Sequence, residues 1–212
     1  MQRWGLKSIS IGQAIEFGWE TWKRNVLFWV GVAVVFIVVE AITQGPGNAA
    51  RNRPALTFVL SVIGFLINTL LGIGVTRMAL RFVDGGRGEF SDLYTGYPLF
   101  LNYLIATLLF SLMVGIGLVF LIVPGVILAV VFGFCTFAVV DRALGPIDAL
   151  QRSAALTRGV RMDVFLFGLL AIAINLVGLL LCGIGLFATY PTTMVAAAHL
   201  YRQLDRQVAP AV

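Results

Sequence analysis

Six long apolar runs follow one another along this chain, and they constrain its fold more than any other feature. Each run approaches or exceeds the length of about 20 residues that a helix needs to cross a bilayer. Hydrophobic residues make up 59% of the 212 residues and charged residues only 12%, which is about half the charged share of a soluble domain. A soluble globular domain is therefore excluded. The runs cover residues 26–43, 56–76, 99–121, 124–140, 164–182 and 186–203.

The sequence predicts an all-α polytopic membrane protein with six transmembrane helices. Tight turns after the third and fifth runs predict that the helices pair as three hairpins, each preceded by a short amphipathic cytoplasmic segment. The chain then divides into an amphipathic N-terminal segment at 1–25, a six-helix membrane domain at 26–203 and a cytoplasmic tail at 204–212. The sixth run is the least apolar, since it contains three threonines and His199. If this run failed to cross, the two ends of the chain would lie on opposite sides.

Basic residues are distributed very unevenly between the two sides of the membrane, when the chain ends and the connections between the six predicted spans are assigned to alternate sides. Two of the 15 lie on one side, Arg51 and Arg53. Because basic residues near span ends are retained in the cytoplasm, this asymmetry predicts a prokaryotic cytoplasmic (inner) membrane protein with both termini in the cytoplasm. The residues of the basic side are Arg3, Lys7, Lys23, Arg24, Arg77, Arg81, Arg87, Arg142, Arg152, Arg158, Arg161, Arg202 and Arg206.

Two polar segments predict short helices outside the spans. At 10–24 the apolar residues recur at helical spacing and include Trp19 and Trp22, which suits either a helix in the membrane interface or one on the protein's own cytoplasmic face. At 146–158 a proline begins the helix and Gly159 can take the left-handed position that ends it. Asp148 and Arg152 stand four residues apart on this second helix.

Three arginines of the second helix and its end, Arg152, Arg158 and Arg161, can reach anionic lipid headgroups. A headgroup-binding role and a plain positive-inside anchor predict the same residues, so both interpretations stay open here.

Small residues at a spacing of four predict close helix contacts within the membrane, because apolar helices in lipid associate through near backbone approach. The fourth run carries Gly125, Ala129 and Gly133. The sixth carries Ala188, Thr192 and Ala196. Contacts within one chain are favoured over contacts between subunits.

Few polar side chains fall inside the apolar runs, and such residues face the bundle or pair with one another. Glu40 lies near the outer end of its span, so a salt bridge with Arg51 or Arg53 is favoured over a proton relay. The intramembrane polar residues are Glu40, Asn68, Asn102 and Asn175.

The sequence contains no cluster of groups that enzyme chemistry would use. It has one histidine, and we find no metal-spaced Cys and His set, no nucleophile with its base and no phosphate-binding glycine loop. We therefore expect no catalysis, no cofactor and no metal. The six spans leave no room for a nucleic-acid-binding domain, so the excess of basic residues is explained by the membrane.

The C-terminal half contains a set of residues that resembles a known family: Pro124-Gly125, Val140-Asp141, Gly145, Ala149-Leu150, Ser153, Thr157-Arg158-Gly159, Gly183, Gly185, Pro191 and Tyr201. They resemble a family of bacterial and archaeal six-span proteins, whose best-named member is the membrane domain fused to some glycerophosphoryl diester phosphodiesterases. Most relatives are uncharacterised, so the resemblance implies a fold more than an activity. The phosphodiesterase activity is not carried over, because this chain lacks that domain.

These observations predict a non-enzymatic membrane protein that serves as a structural or interaction module. Its expected partners are membrane lipids, another membrane protein or a second copy of itself. A small transporter or permease is the alternative, since Pro191 and the asparagines hint at the broken helices and polar cavity that transport needs.

Overall fold

The computed structural model describes residues 9–49, 54–93, 95–181 and 183–208, and this part of the chain is helical with no strand. Two short 3-10 turns, Phe90–Leu93 and Tyr97–Leu99, stand between the third and fourth helices. The helices are α1 (Ile11–Arg24), α2 (Val26–Ala49), α3 (Pro54–Val83), α4 (Phe100–Phe120), α5 (Ile122–Phe132), α6 (Cys135–Arg142), α7 (Pro146–Thr157), α8 (Arg161–Leu180) and α9 (Leu186–Gln207).

Within the described residues, five segments are long and apolar enough to cross a membrane. The prediction of an all-helical membrane protein is thus supported, while the arrangement of six spans in three hairpins stays a prediction. The difference lies in α9, which is long enough but too rich in polar residues to qualify by composition. The five segments are Val26–Thr43, Ala55–Val83, Phe90–Phe120, Ile122–Arg142 and Arg161–Leu180.

The core of the protein lies around α9, which packs against α1, α3 and α8. Its side chains are buried on most sides, and Tyr201 and Leu204 are fully buried. Because other helices cover α9, its polar residues are shielded in a way that its composition alone does not reveal. The helix ends around the α4–α5 turn are, by contrast, strongly exposed and apolar, as at Val119 and Phe120.

The N-terminal helix α1 packs against α9 in an antiparallel direction. The backbone N–H of Ser10 donates to Gln203 at one end, and the indole N–H of Trp22 donates to the carbonyl of Phe187 at the other. The structure therefore shows α1 packed on the protein itself, and its position relative to the membrane stays a prediction. The exposed Trp19 stacks on Trp22 at the edge of this contact.

The predicted fourth span is two helices, because α5 ends at Phe132 and α6 begins at Cys135. The second predicted short helix forms as expected from Pro146 to Thr157, and Gly159 takes a positive φ of 93° just after it. The segment at 88–98 contains only 3-10 turns among its described residues.

Candidate functional site

Six charged side chains form a continuous ion-pair network where α3, α6, α7 and α9 meet. Arg202 donates to both carboxylate oxygens of Asp84, at 2.9 and 2.6 Å, and its third nitrogen lies 2.7 Å from Asp141. One carboxylate oxygen of Asp205 accepts a hydrogen bond from a guanidinium nitrogen of Arg142, and the other accepts one from Arg152. Both nitrogen–oxygen distances are 2.7 Å. The three arginines and three aspartates of this ion-pair network balance in charge.

Arg152 is the most deeply placed member of the network, with only 7% of its side chain exposed. Its guanidinium pairs with Asp205, which is 53 residues away in sequence, and not with Asp148 on its own helix. The expected headgroup contact is therefore not supported for Arg152. Arg158 and Arg161 are exposed, and a headgroup contact for these two stays a prediction.

The electrostatics at Asp205 show how the network is held together. Burial raises the pKa of the Asp205 carboxyl, but hydrogen bonds from Arg152 and Arg142 outweigh this and hold the pKa below its ordinary range. Asp205 is therefore ionised at neutral pH. The nearby Tyr201 hydroxyl donates to Asp141 at 2.9 Å, which ties the buried ring of α9 into the same network.

Ser153 of α7 fills the break between α5 and α6. Its hydroxyl donates to the carbonyl of Val131 at 2.9 Å and accepts the backbone N–H of Phe134 at 3.1 Å. Thr157 donates to the same carbonyl at 3.3 Å. Non-helical backbone within a membrane protein is tolerated only where its polar groups find such partners. Two hydroxyl groups of α7 thus supply hydrogen-bond partners to the backbone at the break.

The predicted small-residue stripe of α9 makes a close contact within the chain. A side-chain carbon at Gly18 of α1 would collide with the carbonyl oxygen of Thr192 and would lie 3.3 Å from the backbone nitrogen of Ala196. Only a glycine lets the two helices approach this closely. Ala188, one turn earlier on α9, is half-buried.

The structure places the first and last residues of the fourth-run stripe in different surroundings. Gly125 is buried against α4, and a side-chain carbon at Gly117 would lie 2.8 Å from its Cα atom. Ala129 is half-buried. Gly133 is exposed and lies in the break between α5 and α6, so the helical spacing that placed it on the same face does not continue to it.

The predicted intramembrane polar residues lie in different places and do not form one site. Asn175 donates to its own helix and to Thr193 of α9 at 3.0 Å. The amide of Asn68 donates to Gly64 of its own helix, and Asn102 is half-buried near the start of α4. Glu40 is exposed on α2. Its predicted partners, Arg51 and Arg53, lie outside the described residues.

A cavity of about 360 Å³ lies between α2 and α9, and we call it the α2–α9 groove. Sequence reasoning missed this feature, because it depends on the spacing of two helices far apart in the chain. Trp29 at its wall is 2% exposed, and its indole N–H has no acceptor among the described residues. Other residues of the wall are Ala33, Phe36, Val75, Phe187 and Pro191.

Neither the network nor the groove offers the groups that a metal requires. Within residues 9–49, 54–93, 95–181 and 183–208, no three His, Cys, Asp or Glu side chains come together as a metal site. The carboxylates of the network face arginines.

Residues 93–210, more than half of the chain, match the domain of unknown function DUF7847. The chain belongs to the DUF7847 family. The DUF7847 region contains α7, α9 and every member of the ion-pair network except Asp84. Trp29 and the rest of α2 lie outside it.

No curated protein and no solved structure matches the chain. The DUF7847 match includes the residues from Pro124 to Tyr201 that carry the predicted resemblance. It does not link them to the membrane domain fused to phosphodiesterases, so that resemblance stays a prediction.

Proposed function

We propose that this protein is a non-enzymatic integral membrane module that acts by binding membrane components. The observation that carries the proposal is the contrast between its interior and its cavity. Where α3, α6, α7 and α9 meet, the polar groups are charge-balanced and paired with one another. The α2–α9 groove is lined by apolar side chains. Such a surface suits lipid or another membrane protein better than a polar solute.

In this proposal residues 186–203 of α9 form the sixth span, and both termini lie in the cytoplasm of a prokaryotic cell. Two observations support it. At 1.5 Å per residue, these 18 residues extend about 27 Å, close to the thickness of the hydrocarbon. The uneven distribution of basic residues also favours an even number of crossings.

Cysteine labelling tests this topology. In a variant without Cys135 and Cys182, Arg51→Cys should react with an impermeant thiol reagent on intact cells, and Arg158→Cys should react only after the membrane is opened. Arg158 is suitable because it is exposed, whereas a cysteine at Arg152 would be buried and would disrupt the network. Labelling at residue 158 from outside would contradict the proposed orientation.

A transporter is the second candidate, and three features favour it: the break between α5 and α6, Pro191 within α9, and Asn175 inside a span. Transporters use broken helices to expose backbone groups to a substrate. In this protein Ser153 already pairs with two backbone groups at the break, the carbonyl of Val131 and the N–H of Phe134. The side-chain NH₂ of Asn175 likewise donates to its own helix and to Thr193 of α9, while its side-chain oxygen is buried without a partner among the described residues.

The double variant Asn68→Leu, Asn175→Leu separates the two candidates. If the asparagines only hold helices together, each change lowers stability by roughly 0.6 to 2 kcal/mol and leaves the cellular function intact. If they line a path for a solute, the protein stays folded but loses function. We expect the first result, measured as the melting temperature in detergent and as complementation of a gene deletion.

Thr193→Val is the matched control, because it removes the partner of Asn175 on α9 without changing either asparagine. It should lower stability about as much as Asn175→Leu. A normally folded double variant that behaves like the deletion would refute the module and favour the transporter.

A further inference from the structure

The C-terminal part of α3 is enclosed by the protein except at two arginines. From Ile73 to Phe82, every residue is buried apart from Arg77 and Arg81, which are half-buried. Residues four apart lie on the same side of a helix. The two guanidinium groups, which we call the α3 arginine pair, therefore form one cationic patch on an otherwise covered helix.

A short segment after α3 lies over this patch, and we call it the α3–α4 strap, residues 88–93. Nη1 of Arg81 lies 3.2 Å from a carboxylate oxygen of Asp92 and 3.5 Å from one of Glu89. Nη1 of Arg77 donates to the hydroxyl of Thr95, just beyond the strap, at 3.1 Å. The strap thus brings two acidic side chains to the α3 arginine pair.

The strap uses only part of the binding capacity of the arginines. Each guanidinium carries five N–H donors in a flat fork that fits the oxygens of a phosphate. Among the described residues, Nη1 is the only atom of either guanidinium that has a partner. An anion with several oxygens can therefore make more hydrogen bonds to the α3 arginine pair than the strap makes.

The Asp92 carboxylate is also incompletely paired in this arrangement. Its side chain is fully buried, and Oδ1 has no partner within the part of the chain that the structure describes. Oδ2 accepts the backbone N–H of Glu89 at 3.4 Å and faces Arg81. Because a buried carboxylate is favourable only when its lone pairs are satisfied, the docked strap carries a cost that undocking removes.

We propose that the α3–α4 strap is a displaceable cover, and that the phosphate of an anionic lipid headgroup takes its place at Arg77 and Arg81. The phosphate oxygens accept from both guanidinium forks, whereas the strap and its neighbour offer Arg77 only a neutral hydroxyl. This proposal rests on the proposed function and names the membrane component that is bound.

The position of the α3 arginine pair along its helix fits a lipid headgroup. Both arginines lie in the last two turns of the candidate span Ala55–Val83. Basic residues at the end of a span meet the headgroup region and attract anionic lipids. The strap itself is short, with one 3-10 turn at Phe90–Leu93, and the side chain of Glu89 is exposed. Such turns have weaker hydrogen bonds than an α-helix.

Hydrogen–deuterium exchange of the full chain in lipid nanodiscs tests this proposal. The nanodiscs contain either phosphatidylcholine alone or equal parts of phosphatidylcholine and phosphatidylglycerol, at one ionic strength. We expect the amides of residues 88–93 to exchange roughly tenfold faster in the anionic nanodiscs, because basic residues bind anionic lipid and release the strap. Equal exchange rates in the two lipids would overturn the proposal.

Arg77→Gln is the informative variant, because it removes half of the α3 arginine pair and leaves the ion pairs between Arg81 and the strap in place. It should exchange like the unchanged protein in phosphatidylcholine and lose most of the acceleration in the anionic nanodiscs. Arg158→Gln, the same change at an exposed arginine of another helix end, is the matched control and should keep the full acceleration. Equal acceleration in the two variants would contradict lipid binding at the α3 arginine pair.

Inorganic phosphate distinguishes a lipid headgroup from a free anion. When phosphate is added to phosphatidylcholine nanodiscs at the same ionic strength, the exchange of the strap should not change. Acceleration by phosphate alone would overturn the assignment of this site to lipid. The proposed module fails by a different result, a folded asparagine double variant that behaves like the gene deletion, so the two failures are distinguishable.

Discussion

Gly18→Leu should destabilise the protein by about 3 kcal/mol, because the new side chain has no space between α1 and α9. Even its first carbon would collide with the carbonyl oxygen of Thr192. That oxygen belongs to the backbone of a buried helix and cannot turn aside as a flexible side chain would. The two helices would have to separate and lose the hydrogen bonds at both ends of α1. Thermal melting in detergent measures the loss.

The same change at Gly12, on the same helix, is the matched control. No atom lies within 4 Å of the position that its side-chain carbon would take. Leucine is also a better helix former than glycine, so Gly12→Leu should be neutral or stabilising by up to about 1 kcal/mol. If both leucine variants melt at the same temperature, the close contact between α1 and α9 does not exist in solution.

The contact at Gly18 also shows how far the sequence could predict the fold. The stripe of Thr192 and Ala196 correctly indicated a helix contact, because small residues at a spacing of four leave a groove along one helix face. It could not indicate the partner, since many helices can fill such a groove. The tryptophans of α1 suggested a membrane interface as readily as a place on the protein.

Helical spacing was less reliable where the helix itself is interrupted. The spacing of four puts Gly133 on one face with Gly125 only if the helix is continuous, and α5 ends before Gly133. The group that makes the break tolerable, the hydroxyl of Ser153, comes from another helix. A local sequence pattern carries no information about that partner, so the break could not be predicted from the fourth run.

The arginines show a similar limit. Counting basic residues predicts which side of a membrane a segment occupies, but it does not predict which carboxylate each arginine meets. The nearest acid in helical spacing to Arg152 is Asp148, and the structure pairs Arg152 with Asp205 from the far end of the chain. The pairing depends on how α7 packs against α9, which only the fold determines. Asp141 and Asp205 are for this reason absent from the residues that the sequence singled out as site candidates.

Asp205→Asn should be the most destabilising single charge change in the ion-pair network, at about 3–5 kcal/mol, because it removes the carboxylate from a buried arginine. Arg152 would keep its charge at a position where little water can solvate it. Arg142 would lose the same partner. Asp148→Asn on the exposed side of α7 is the control and should change stability by less than about 0.5 kcal/mol.

The pH dependence of stability provides a second measurement on the same variant. The pKa of Asp205 is lower in the folded protein than its ordinary value, so its ionised form stabilises the fold above about pH 4. As the pH falls through the lowered folded pKa, Asp205 becomes protonated and this contribution is lost. The difference in melting temperature between the unchanged protein and Asp205→Asn should therefore be constant near neutral pH and shrink below about pH 4.

A difference that stays constant down to pH 2, or equal melting temperatures of Asp205→Asn and Asp148→Asn at pH 7, would show that Asp205 does not stabilise Arg152. Adding Arg152→Met to Asp205→Asn should recover part of the loss, because the double variant no longer buries an uncompensated charge.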